Sequence, residues 1–211
     1  MGRHSRLHRM NYTRLPLADV TSALLSVARE TQAAFGSLDA RQLNWRPDEA
    51  RWSVAQCFQH LLTANGLVLQ SARHALRHSP STVWQRLPLV PRLFGWALIR
   101  SQAPGATRKY RAPAKARPTT SEIPTDVIER FVDQHHAAAQ WVQTVDEREA
   151  VRAVMISPFI RFVTYSVLDG CRLVVAHDHR HFDQARRVTL APGFPGDSRQ
   201  SASAATAPGF E

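Results

Sequence analysis

Residues 52–61 read Trp52-Ser53-Val54-Ala55-Gln56-Cys57-Phe58-Gln59-His60-Leu61, and this stretch decides the fold. Ser53 with Gln56 three residues later is the signature of a capping box: the serine oxygen accepts from the helix's third amide, and the glutamine reaches back to the cap. The spacing predicts a helix opening at Val54. Its apolar pattern continues through Leu61, Leu62, Leu67, Val68 and Leu69 to about His78, at the three-and-four spacing of an amphipathic helix. Cys57, His60, Leu61, Ala64 and Val68 share one stripe, which places an imidazole on the face expected to turn inward. Gly66 weakens the helix interior by about 1 kcal/mol relative to alanine, consistent with another helix passing close by.

Working outward, Val20, Leu24, Leu25, Val27 and Ala28 predict an earlier helix over 17–35, with Asp19 as an N-cap carboxylate and Gly36 as its stop. Residues 37–51 read as a connection. On the other side, Pro80, Pro88, Pro91, Pro104, Pro113 and Pro118 forbid a long helix across 79–122. A short helix near 91–101 and an extended loop over 109–120 fit that stretch. A connection of this length implies a crossover between parallel neighbours rather than a tight hairpin. A third long helix follows Pro124, with Val127, Ile128, Phe131, Val132, Ala138, Trp141, Val142 and Val145 on its apolar side. Residues 151–162 read as an irregular extended linker, and a fourth helix runs over about 164–188. A flexible basic arm over 1–16 and a disordered tail over 191–211 flank a single helical domain at 17–190.

The formal charge is +10 and rests on arginine, since Lys109 and Lys115 are the only lysines. Such a balance permits contact with nucleic acid or an anionic membrane through Arg108, Lys109, Arg111, Lys115 and Arg117. Only Tyr110 supplies an interleaved aromatic there, and no DNA-binding motif accompanies the patch, so a nucleic-acid partner is disfavoured. The two cysteines, Cys57 and Cys171, lie in no CxxC motif and are too few for a disulfide framework, which fits a reducing cytoplasm. The basic N-terminus has no apolar core of a secretion signal. The stretch 83–99 is broken by prolines and arginines and does not span a membrane.

Three histidines carry the functional reading. His177 and His181 lie one turn apart on the last helix, so two imidazoles share a face. If the second and last helices pack together, His60 joins them in a three-ligand metal set with an open position for water or substrate; otherwise His60 is a hydrogen-bonded core residue. Asp178 and Gln184 are candidates to orient the rings, and Cys57 or Cys171 is a candidate extra ligand or redox group. His74 and His78 also share a face but end a helix, where they cap carbonyls or meet solvent. His135 and His136 point apart, and His179 lies about 200° round the helix from His177. The tryptophans read as packing residues. No Gly-rich phosphate loop, GxSxG elbow or HExxH motif is present.

The run Leu43-Asn44-Trp45-Arg46-Pro47, then Trp52-Ser53 through His60-Leu61, and the late run His177-Asp178-His179-Arg180-His181-Phe182-Asp183-Gln184 resemble the DinB-like (DinB/YfiT) superfamily over about residues 17–190. The resemblance implies an all-α four-helix bundle with a long crossover between its second and third helices. It implies His60, His177 and His181 as ligands of a divalent metal, with zinc or nickel favoured and manganese or iron as alternatives, and frequent homodimerisation. It also implies a small-molecule substrate and metal-dependent chemistry: hydrolysis, or transfer of a low-molecular-weight thiol. The alternative is a non-catalytic stress-related or small-molecule-binding bundle in which the histidines are core polar groups. The Pro/Arg-rich insertion at 79–122 departs from the compact pattern.

Overall fold

The structure, a computed structural model, describes residues 10–78, 89–106 and 112–196. After a short 3-10 turn at Tyr12–Arg14 come helices α1 (Leu17–Phe35), α2 (Ala40–Asn44), α3 (Val54–Arg77) and α4 (Val90–Gln102). A second 3-10 turn at Ala114–Ala116 leads to α5 (Val127–Gln143) and α6 (Glu147–Arg152). The small strands β1 (Val154–Ile156) and β2 (Thr164–Ser166) then pair antiparallel, and α7 (Val167–Thr189) closes the fold.

Helices α1, α3, α5 and α7 form the bundle. The strongest contacts run from α1 to α5, from α3 to α7, and then across α3–α5 and α1–α7. The first and second bundle helices therefore sit diagonally, and the second helix lies beside the fourth, which is what His60 and the 177/181 pair require. Phe58 packs on Phe131 at 4.9 Å, Gln134 Nε2 donates to Leu62 O at 2.9 Å, and the Arg73 guanidinium covers the Trp141 ring at 4.8 Å. Residue numbers rise together along these contacts, so α3 and α5 run parallel, as the long crossover between them demands.

Local chemistry explains most element ends. Ser53 Oγ accepts from Gln56 N and Gln56 Oε1 accepts from Ser53 N, both at 3.1 Å. The same device, Asp39 with Gln42, opens α2 inside the stretch read as a plain connection. Pro16, not Asp19, occupies the cap position of α1, leaving Asp19 in the first turn where its charge suits the helix dipole. Ser166 caps α7 by accepting from Asp169 N at 3.0 Å. It also ends β2, so the last helix starts three residues later than its apolar pattern suggests. The 151–162 linker resolves into the end of α6, then β1 and the turn that leads to β2.

Within the expected arm, Tyr12 and Leu15 are buried against the bundle, and Tyr12 finds a partner in His179. Likewise the first tail residues are placed, with Phe194 edge-on to Trp45 at 5.5 Å and Gln42 Nε2 donating to Pro195 O. Residues 1–9 and 197–211 of those two expectations lie outside the described residues, as do Arg108, Lys109 and Arg111 of the basic patch. No helix among the described residues is long and apolar enough to cross a membrane.

Candidate metal centre

The capping box fixes where α3 begins and hence the direction of His60, two turns in. The crossover then returns over this face: Gln56 Nε2 donates to Thr120 O at 3.1 Å, and His60 Nδ1 donates to Ala116 O at 2.7 Å. That bond holds the ring in the tautomer whose Nε2 lone pair is free. On α7, His177 and His181 present their rings at 4.6 Å between centroids, and His60 meets them at 5.1 and 4.8 Å.

One potential ligand nitrogen from each histidine lies within 4.8 Å of the others. His60 Nε2 and His177 Nε2 are 3.3 Å apart. Two nitrogens at zinc-ligand distance from a tetrahedral centre are separated by about 3.3–3.4 Å, so this edge already has the dimension of a filled site. His181 Nδ1 is buried with no partner within hydrogen-bonding distance among the described residues, and Gln184 is the side chain that approaches this ring. Among the described residues the cluster contains three imidazoles and neither a carboxylate nor a thiol.

Electrostatics favour unprotonated rings. Burial lowers the pKa of His60, with the Ala116 hydrogen bond and Asp178 opposing. His177 is held well below the usual range by desolvation and by His181 and His60. His181 falls to about 3 through burial, with His60 and Arg180 adding to the shift and Gln184 opposing it. Neutral imidazole is the ligating form, so near pH 7 no proton has to leave before a cation binds. The set is neutral and would leave the full charge of a divalent ion uncompensated. That condition most strongly acidifies a bound water. His177 is the partly exposed member and marks the open side.

Trp52, a packing residue by its sequence position, also borders the cluster: its ring lies 5.1 Å from His60 and stacks at 5.9 Å and 20° on His181. It walls the centre. Its place immediately before the cap serine was the available signal. Asp178 does not orient a cluster ring. It is fully buried and accepts from Asn65 Nδ2 at 2.7 Å and from His135 Nε2 at 2.8 Å, tying α7 to α3 and α5 beside the site. His135 completes this node by donating Nδ1–H to Phe131 O at 2.9 Å. Both cysteines are buried outside the cluster, and burial pushes each thiol up to about 12, so neither is a ligand or an accessible redox group in this arrangement. His179 faces away and pairs with Tyr12 at 2.9 Å. His78 Nδ1 bonds the His74 carbonyl at the end of α3.

The fold has a counterpart among solved structures. YfiT from Bacillus subtilis, described as a probable metal-dependent hydrolase with an unusual four-helix bundle topology, superposes with a TM-score of 0.54 at 15% identity. The match covers 85% of this chain and 89% of that one. No curated protein sequence matches the chain. The profile of the DinB superfamily matches residues 23–185, a span that contains all four bundle helices' cores and the three converging histidines. The chain belongs to the DinB superfamily.

Proposed function

We propose that the chain is a metal-dependent enzyme acting on a small molecule, a hydrolase or a low-molecular-weight-thiol transferase, with His60, His177 and His181 holding one divalent cation. The observation that carries this reading is the convergence of three neutral imidazoles with a 3.3 Å nitrogen–nitrogen edge. Zinc or nickel suits an all-imidazole set better than magnesium or calcium, which take oxygen ligands. Such a cation supplies a water or thiol of lowered pKa and a Lewis acid for the group under attack. The chain's own residues supply the rest. Ala116 O fixes the His60 tautomer, Trp52 closes one wall against water, and the Asp178–His135–Asn65 node holds α7 in register with α3. A small-molecule substrate approaches past His177, the exposed side. Two free cysteines fit a cytoplasmic setting, and a homodimer belongs to the same proposal.

The proposal is tested by assaying zinc- and nickel-loaded protein against activated esters and amides, and against electrophiles in the presence of a low-molecular-weight thiol. Turnover that disappears with chelator and in His177→Ala is expected. Turnover unchanged by either treatment would refute it.

A further inference from the structure

A second concave site lies where the Tyr12–Arg14 turn, α4 and the start of α7 meet. It is a cleft of about 470 Å³ lined by Arg14, Arg92, Trp96, Arg100, Asp169 and Arg172. That volume is within the range of small-molecule sites, about 300–1,000 Å³. It is distinct from the histidine centre: Arg172 precedes His177 by five residues, about 7.5 Å along α7 and about 140° around it.

The charge in the cleft is arranged. Arg172 is mostly buried and committed on two sides, donating Nε–H to Leu15 O at 2.7 Å and an Nη1–H to Asp169 Oδ1 at 2.9 Å. The Asp169 carboxylate is pinned under α4, since a Cβ at Gly95 would lie 2.5 Å from its Oδ2. Only glycine lets the helix close over it. This pair neutralises itself. Arg14, Arg92 and Arg100 remain, with no hydrogen bond or ion pair to a carboxylate among the described residues. Arg92, Trp96 and Arg100 recur every four residues on one face of α4. The Arg100 guanidinium lies over the Trp96 ring at 5.0 Å, which orients it and leaves its N–H edges for a ligand.

Three uncompensated guanidiniums around one concavity repel each other unless an anion sits between them. We propose that this cleft binds a multiply charged oxyanion, the phosphate group of a small molecule. Arg14, Arg92 and Arg100 are its donors and Trp96 is the adjoining wall. Guanidinium forks match the geometry of such oxyanions. The three arginines line one concave cleft and not the extended basic track that a nucleic-acid backbone needs, which favours a small ligand.

Titration calorimetry of the full-length, metal-loaded protein with inorganic pyrophosphate tests this, with phosphate and sulfate run in parallel to separate phosphate from sulfate preference. One saturable site is expected, weakened about tenfold by Arg92→Gln or by Arg100→Gln. Both side chains are exposed, so these variants keep the fold, which circular dichroism checks. Binding is expected to survive in His177→Ala and in the remote surface variant Arg148→Gln. Four results would each overturn the proposal: no saturable binding, equal weakening by Arg148→Gln, loss of binding in His177→Ala, or displacement of pyrophosphate by a short duplex that binds more tightly.

Discussion

Asp178 carries the buried carboxyl group on which three helices converge, and replacing it gives a graded prediction. Asp178→Ala removes the acceptor of Asn65 Nδ2 and of His135 Nε2, at 2.7 and 2.8 Å, in a place with no exposure to water. His135 then keeps only its bond to Phe131 O. Orphaning a buried donor costs about 1–3 kcal/mol, and here two donors lose their acceptor together. The expected loss is therefore about 2–6 kcal/mol, a large share of a native stability of about 5–15 kcal/mol. Asp178→Asn preserves volume and an oxygen for Asn65, and a neutral His135 can accept from the new amide. It should cost only about 1–2 kcal/mol. Urea unfolding followed by circular dichroism measures both, in the presence of chelator so that metal linkage does not contribute. An unchanged denaturant slope shows that the effect is on stability alone. A loss under about 1 kcal/mol in the alanine variant, or equal losses in the two variants, would refute the reasoning.

Two further outcomes follow from the same structure. In the metal-free protein the folded pKa of His181 is about 3, and those of His60 and His177 are also lowered, whereas unfolded imidazole titrates near 6.5. Between those values the unfolded chain binds more protons, so stability is full above about pH 6.5 and falls on acidification, at roughly 1.4 kcal/mol per pH unit for each fully separated group. A melting temperature that stays constant from neutrality to mild acid would contradict this. Ser53→Ala removes the acceptor for Gln56 N and should cost about 1 kcal/mol of stability. It should also loosen the start of α3, read as faster amide exchange over its first turn, and an unaltered exchange pattern would count against that role.

Short-range chemistry made much of this molecule legible. The Ser53–Gln56 box needs only four residues, so α3 could be placed from its sequence, and α1 ends at Phe35 as its apolar pattern indicates. Asp39-Ala40-Arg41-Gln42 carries the same signature, but the proline and tryptophan that follow gave residues 37–51 the look of a connection. Helical spacing put His177 and His181 on one face. Spacing makes His60 a possible third partner for them, and the family resemblance selects it. What stayed hidden depends on contacts between distant segments. Ala116 lends a backbone carbonyl that no side-chain identity announces, and Trp52's place before the cap serine does not by itself show that α7 brings His181 against its ring. Asp178 adjoins His177 in sequence, yet the helix turns it onto the opposite partners, Asn65 and His135.

The central claim is that three imidazoles bind one divalent cation, and metal stoichiometry read with X-ray absorption tests it most directly. Protein loaded with zinc or nickel and freed of excess is predicted to hold one equivalent, with three imidazole nitrogens at about 2.0–2.1 Å for zinc. His60→Ala, His177→Ala and His181→Ala should each release it on mild chelation. Failure to retain metal in the unaltered protein, or retention of a full equivalent in all three variants, would contradict the account.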